Sequence, residues 1–323
     1  MVIKKDILLK NFDLIPDEKG VFTFFDAKNN KLYFSKSSNL RHSIKALMLG
    51  GETNKDILQL ASLTENISFV VTENLFEALL IEKKMFSLGK PDFNNIIQNT
   101  KSYVYLAIDF YNVPFFKVVS STIETNYYYI GPFHSNFFIR DFLETMMNVA
   151  NFPACETQEY PCEHYKNNIC KGYCILDKIE LNKVLISSYF KENSEITKNL
   201  RKKYLNYQSE LNFEKAQSIY KNLEIIEKYY RYIYFFHCTK HLTFPFDYNN
   251  SKISLKNGLI EEIGQGEKIF SFAVTEIEYK DREFLAIERH NLNEAWIIFQ
   301  YLREIKPLQM NRIYNNSITK MFK

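Results

Sequence analysis

Four cysteines, Cys155, Cys162, Cys170 and Cys174, fall within twenty residues of a chain that holds only one other, Cys238. Ligands to a single ion or cluster must converge within a few ångströms, and short spacings lower the loop entropy lost when they do. The segment from Pro153 to Ile175 is polar and turn-rich, with too few apolar residues to fold around a core of its own, so a shared metal is expected to give it structure. Tetrahedral Zn²⁺ and a [4Fe-4S] cluster both accept four thiolates, and spacing alone leaves the two open. Disulfides are the rival use of clustered thiols. The N-terminus, Met1-Val-Ile-Lys-Lys-Asp6, has no following apolar region of signal-peptide length, and no stretch approaches a membrane span; the expectation is a cytoplasmic chain with reduced thiols and no membrane contact. Cys238, beside Phe235 and Phe236, reads as an ordinary buried thiol.

A chain of 323 residues is long enough for two or three domains. Hydrophobic content of 46% excludes wholesale disorder, and a net charge of +3 is too small to identify a nucleic-acid binder by itself. The 22 Tyr and 28 Phe are expected to fill cores more than to stack on bases.

The first hundred residues read as a small mixed domain. Gly20-Val-Phe-Thr-Phe-Phe25 alternates, Asn29 and Asn30 supply turn residues, and Lys31-Leu-Tyr-Phe-Ser35 resumes an extended pattern, together a β-hairpin. Ser38 or Asn39 can cap a helix whose apolar stripe is Leu40, Ile44 and Leu47. Ile67 to Val71 reads as a third strand, and Asn74 caps a helix carrying Leu75, Leu79 and Leu80 before Gly89 and Pro91 end it. Glu82 follows Leu79 at the margin of that apolar face. A carboxylate there can ligate a divalent metal or simply reach solvent.

Gly20-Val-Phe22, Tyr33-Phe-Ser-Lys36, Asn39-Leu40, Glu77 to Glu82 and Pro91-Asp-Phe-Asn94 resemble, in order, the GIY-YIG nuclease domain in the version found in the C subunit of the bacterial excinuclease (UvrC). Lys101-Ser-Tyr103, Gly131-Pro-Phe133, Arg140, the four cysteines and Leu211-Asn-Phe-Glu-Lys-Ala216 continue the likeness to about residue 235. The fold class implied is α+β. A GIY-YIG-type domain occupies 1–98, a linker with the four-cysteine site 99–178, a helical hairpin resembling the UvrB-interaction (UVR) motif 179–236, and a small α/β domain 237–323. The shortness of the chain brings it closest to the short form of the family, Cho.

The resemblance implies a DNA endonuclease of nucleotide excision repair that makes a metal-dependent incision. Glu82 then holds Mg²⁺ or Mn²⁺, Tyr33 is the general base, and Lys36 and Asn94 support the site. It further implies a [4Fe-4S] cluster at Cys155, Cys162, Cys170 and Cys174, with Zn²⁺ as the alternative, and DNA and a UvrB-like subunit as partners, the latter through residues 196–232. Three departures bear on activity. Phe22 replaces the first motif tyrosine, Ser35 the motif glycine, and Ser43 an arginine on the following helix. A guanidinium lost from a phosphoryl-transfer site costs about three to five orders of magnitude in rate. Arg41 lies two residues away, roughly 200° around a helix. The alternative is therefore a catalytically impaired pseudonuclease that binds DNA or the B subunit.

Toward the C-terminus, Ser194 can cap a helix through Leu205 and Leu211, and Asn212 a second whose stripe is Phe213, Ala216, Ile219, Leu223, Ile226 and Tyr230. Lys256-Asn-Gly258 reads as a hairpin turn, 269–279 and 284–288 as strands, and Asn291 as the cap of a helix carrying Trp296 and Phe299.

Overall fold

A computed structural model describes residues 2–49, 54–98, 103–124, 126–150, 160–274 and 285–321. The chain divides into two compact units, the first containing residues 1–101, 243–274 and 293–305 and the second the remainder. The architecture is mixed α/β.

In the first unit, β1 (Val2–Lys4) leads into α1 (Lys5–Lys10), and a four-stranded sheet has the order β1-β4-β2-β3, where β2 is Gly20–Phe25, β3 is Lys31–Ser37 and β4 is Asn66–Val71. The β2–β3 hairpin closes where Asp26 Oδ1 accepts the N–H groups of Lys28 and Asn30, each at 2.8 Å, with Asn29 at φ +61°. A Cβ on Gly20 would stand 2.1 Å from the Val70 carbonyl oxygen, so the close approach of β2 to β4 requires glycine there. Phe22, Phe24, Tyr33, Ile67 and Phe69 put one face of the sheet into a core with Leu40 and Ile44 of α2 (Leu40–Leu49) and Leu60 of α3 (Lys55–Leu63). Asn39 caps α2 by accepting the His42 N–H at 2.8 Å.

The opposite face receives α4 (Leu75–Leu88), where Phe34 meets Phe86 with ring centroids 4.5 Å apart. Asn74 accepts the Glu77 N–H while Glu77 accepts the Glu73 N–H, each at 2.9 Å, a reciprocal cap that fixes where the helix begins. Gly89 ends it at φ +145°. Next comes α5 (Asp92–Gln98).

The same unit holds an antiparallel meander, β8 (Pro245–Tyr248), β9 (Ser251–Lys256), β10 (Leu259–Gln265) and β11 (Lys268–Ser271), together with most of α11 (Leu292–Ile305). Asn257 and Gly258 turn β9 into β10 at positive φ, the geometry of a two-residue hairpin. The strand expected over 269–279 ends at Ser271, and residues 275–284 lie outside the described residues. Lys83 of α4 pairs with Glu294 of α11 at 2.7 Å, and Phe76 stacks on Tyr301 at 4.4 Å; α4 is thus held from the side opposite its sheet.

In the second unit a sheet of order β12-β7-β5-β6 joins β5 (Val104–Ile108), β6 (Phe116–Val119), β7 (Tyr128–Phe133) and the two-residue β12 (Leu285–Ala286). Helices α6 (Asn136–Ala150) and α10 (Phe213–Thr239) supply an aromatic core in which Phe142 stacks on Tyr229 at 3.6 Å and Phe133 contacts Tyr229, Tyr232 and Phe236. Between them run the short α7 (Glu163–Lys166), α8 (Lys178–Leu185) and α9 (Ser194–Ser209), with α12 (Pro307–Met321) at the end.

Helix α8 continues into a π-helical turn, Ile186–Phe190, and a helix C-terminus leaves carbonyl groups without intrahelical donors. Side chains of α10 supply them. Tyr230 donates to Ser188 O at 3.1 Å, Tyr229 to Tyr189 O at 2.9 Å, and His237 Nε2 lies 2.7 Å from Phe190 O.

Helices α9 and α10 form the expected antiparallel hairpin, tied by Arg201 to Glu227 at 2.6 Å. Its first cap differs from expectation, because Asn193 rather than Ser194 accepts the Glu195 and Ile196 N–H groups. An amide oxygen one residue earlier reaches both donors. Of the expected stripe, Ala216, Leu223, Ile226 and Tyr230 are buried, whereas Phe213 stays 66% exposed at the hairpin tip.

Candidate active site

Strand β3 is the edge of its sheet, so alternate backbone groups face away from β2 and need partners elsewhere. Two side chains provide them. Asn94 Oδ1 accepts the Phe34 N–H at 3.1 Å and Asn94 Nδ2 donates to Phe34 O at 2.6 Å. One step along the strand, Glu82 Oε1 accepts the Lys36 N–H at 3.0 Å. Asn94 is 1% exposed and Glu82 5%; the carboxylate that its spacing placed at the margin of an apolar face is buried against the strand.

A buried carboxylate requires compensating donors or charge. Lys36 Nζ lies 2.6 Å from Glu82 Oε2, and Ser35 Oγ is 3.4 Å from Oε1. Tyr33 stands on the same strand, 7% exposed, with its ring 6.0 Å from Phe22 and 6.2 Å from Phe24. Burial pushes the Tyr33 phenol above its ordinary value and the Glu82 charge adds to this, against a hydrogen bond with Ser35 that pulls it back. The geometry therefore brings Tyr33, Ser35, Lys36 and Glu82 together, while the Asn94 amide faces the strand backbone.

The three departures have distinct structures. Phe22 is 2% exposed inside the aromatic cluster and offers no hydroxyl. Ser35, read from the sequence as the loss of a motif glycine, contributes a hydroxyl to the carboxylate. No sequence signal marks it, because the contact depends on the register of β3 against α4. Ser43 hydrogen-bonds Ser37 at 2.7 Å. Arg41 points elsewhere: its Nη1 meets Asp17 at 2.6 Å and its Nε donates to Ile15 O at 2.7 Å. It does not stand in for the missing guanidinium.

A divalent cation fits this donor set in chemical kind. Glu82 offers hard carboxylate oxygens held in place by β3, and a lysine ammonium already supplies positive charge beside them. Among the described residues no group of three or more His, Cys, Asp or Glu side chains is gathered as a metal site.

The cysteine segment is described in part, since Cys155 lies outside the described residues. No disulfide joins the described cysteines. Cys170 Sγ accepts the Gly172 N–H at 3.3 Å. Cys174 and Cys162 both act electrostatically on Tyr160, whose phenol is pushed up to about 12, chiefly by its hydrogen bond with Tyr165. Cys162, Cys170 and Cys174 do not meet the requirement of a gathered ligand set. Cys238 is fully buried in α10, 3.6 Å from Met310 O.

Residues 18–95 match the UvrC-like GIY-YIG domain. UvrABC system protein C from Petrotoga mobilis is 24% identical over 230 residues, covering 66% of this chain and 39% of the relative. The protein of that name from Mycoplasma mycoides subsp. mycoides is 23% identical over 304 residues, covering 92% of this chain and 50% of the relative. The chain thus spans half the length or less of these curated relatives. Among solved structures, the GIY-YIG N-terminal endonuclease domain of UvrC from Thermotoga maritima, bound to its catalytic magnesium, is 22% identical, covers 28% of this chain and 99% of that chain, and has a TM-score of 0.25. Residues 18–95 are thus similar to the UvrC-like GIY-YIG domain, in a chain that resembles UvrABC system protein C well beyond it.

Proposed function

We propose that this chain is a cytoplasmic UvrC-like DNA-repair endonuclease subunit that makes a metal-dependent incision in damaged DNA. The observation that carries this reading is the cluster of buried Tyr33 and Glu82 with partly buried Lys36, within a stretch similar to the UvrC-like GIY-YIG domain. Glu82 would hold Mg²⁺ or Mn²⁺. Such an ion, when bound, neutralises charge developing on a phosphate and lowers the pKa of a coordinated water.

The protein's own groups have separable tasks. Lys36, donating to both Glu82 oxygens, holds the carboxylate in orientation, and its ammonium can turn to a phosphate oxygen when Glu82 takes another cation. Tyr33 is protonated in its buried setting. It serves as base only after local positive charge reverses that shift. Asn94 positions β3, and through it Tyr33 and Lys36. The aromatic wall of Phe22 and Phe24 excludes water from one side of the phenol.

A second reading, the pseudonuclease, is favoured by one observation. The Ser37–Ser43 hydroxyl pair occupies the place where the family pattern has arginine, and Arg41 is engaged with Asp17.

The partner proposal is a UvrB-like subunit docking on residues 196–232. Supporting it, Leu205, Leu211 and Phe213 are 61%, 73% and 66% exposed around the tip of the α9–α10 hairpin, an apolar patch of the kind that marks an interface. The cofactor proposal for the cysteine segment is a [4Fe-4S] cluster, with Zn²⁺ as the rival. Its support is the clustering of the cysteines and the Gly172 to Cys170 contact, and visible absorbance against zinc content separates the two.

The deciding experiment is Mg²⁺- or Mn²⁺-dependent nicking of a lesion-bearing duplex, with and without the A and B subunits. Nicking by the wild type that is lost in Glu82→Ala supports the endonuclease. Absence of nicking from folded protein that still binds DNA or the B subunit supports the pseudonuclease.

A further inference from the structure

The second unit contains a recess of about 630 Å³ with a largely polar lining. Lys171 enters it from the cysteine segment, and one face of α9 contributes Asn199, Lys202, Lys203 and Asn206. Steps of three and four residues along a helix bring side chains to one side. The lining thus carries three lysines and a single carboxylate residue, Glu195, and none of the three lysines has an ion-pair partner among the described residues.

The floor is rigid. The π-helical turn beneath it is fixed by Tyr229, Tyr230 and His237, and Ser188 on that turn is 2% exposed with Asn193 Nδ2 3.4 Å from its hydroxyl. The backbone around Lys171 is fixed. This residue sits between Cys170 and Gly172, where Gly172 adopts φ +78° and returns its N–H to the Cys170 sulfur.

Unpaired lysines are point charges suited to phosphate, and amide side chains add hydrogen bonds without selecting a base. The recess is too large for one phosphate, and its aromatic member, Tyr173, is buried, so base stacking is not on offer. We propose that this recess holds the phosphodiester backbone of DNA, with Lys171, Lys202 and Lys203 neutralising phosphates and Asn199 and Asn206 donating to them. The proposal rests on the DNA-directed reading of the chain and adds a contact surface separate from Glu82. It also makes DNA affinity depend on the fold of the cysteine segment, since that segment delivers Lys171.

The test is fluorescence anisotropy with a short labelled duplex of arbitrary sequence, using the full chain in EDTA across a KCl series. Each phosphate neutralised contributes about 0.9 to the slope of log K against log [KCl]. The variant Lys171→Gln/Lys202→Gln/Lys203→Gln should show a slope shallower by about 2 to 3 and an affinity roughly tenfold lower or worse at low salt, equally for unrelated duplex sequences. A control, Lys31→Gln/Lys252→Gln/Lys268→Gln, removes the same charge from the first unit and should change the slope by less than 1. An unchanged slope in the first variant, an equal loss in the control, or no duplex binding by the wild type overturns the proposal. Inorganic phosphate is the second probe: if the first variant loses phosphate binding yet holds duplex as tightly as wild type, the site takes a small anion and the DNA assignment falls. Glu82→Ala should bind with the wild-type slope, so a failure of incision and a failure of this site are read separately.

Discussion

The Lys36 ammonium lies 2.6 Å from Glu82 Oε2 while the Lys36 backbone N–H lies 3.0 Å from Oε1, so one residue engages both oxygens of the carboxylate proposed to hold metal. A charge-assisted contact of this kind is worth about 1.5 to 3 kcal/mol, and a cation arriving at Glu82 has to displace it. Lys36→Met is expected to tighten Mn²⁺ binding by roughly tenfold, about 1.4 kcal/mol, as read by calorimetry. It should slow incision at saturating metal, because the phosphate loses its ammonium. Metal affinity equal to wild type would show that the pair does not compete with the ion.

Asn94 closes two backbone groups of Phe34 from a nearly fully buried position. Asn94→Ala leaves one donor and one acceptor without partners and should lower stability by about 2 to 4 kcal/mol, measured as a fall in the urea midpoint. Asn94→Asp keeps the acceptor for the Phe34 N–H but sets an ionised carboxylate oxygen against Phe34 O in a buried site, and should cost at least as much as Asn94→Ala near neutral pH.

Ser43 touches Ser37 rather than Glu82. If the missing guanidinium limits the rate, Ser43→Arg should raise metal-dependent nicking by at least about tenfold, a small share of what such a group contributes at phosphoryl-transfer sites. Gel quantification of nicked duplex in Ser43→Arg and in Ser43→Arg/Glu82→Ala checks it. Rate gained in the first and absent from the second is the expected pair of results.

Burial pushes the His237 imidazole down to about 4, while an unfolded chain titrates near 6.5. Acidification protonates the unfolded state first, so this contribution to stability is complete above about pH 6.5 and is lost as the pH falls toward 4. A displacement of that size is worth roughly 3 kcal/mol. Urea midpoints taken across this window should fall steeply for wild type and less so for His237→Gln.

Phe213 is two-thirds exposed, so Phe213→Ser should change stability by less than about 0.5 kcal/mol. The proposed docking predicts that it nonetheless weakens binding to a UvrB-like subunit by about tenfold or more in a pull-down or titration. Equal binding by the variant would remove the hairpin tip from the interface.

The sequence made the β2–β3 hairpin and α4 legible because each carries local signals: alternation, asparagine turn residues, an Asn74 cap and a Gly89 stop. The sheet of β5, β6 and β7 was not foreseen. Its strands are separated by turn-rich segments such as Asp109 to Pro114, and both faces are partly covered, which blurs the period-two pattern. Tyr33, Lys36 and Glu82 were singled out by family pattern, yet the role of Ser35 depends on a register that no spacing reveals. His237 meets Ser317 at 2.8 Å across 80 residues of sequence, a partnership that only the fold creates. The aromatic surplus, expected as filling, also acts as polar capping through Tyr229 and Tyr230.

An exposed strand margin invites a neighbouring chain to add a strand of its own. Here Glu82 and Asn94 occupy the hydrogen-bonding positions that such an intruder would use. The same two side chains proposed to serve incision therefore also guard against misassembly. Replacing either one would reopen the edge, so both have a structural role in this chain that does not depend on incision.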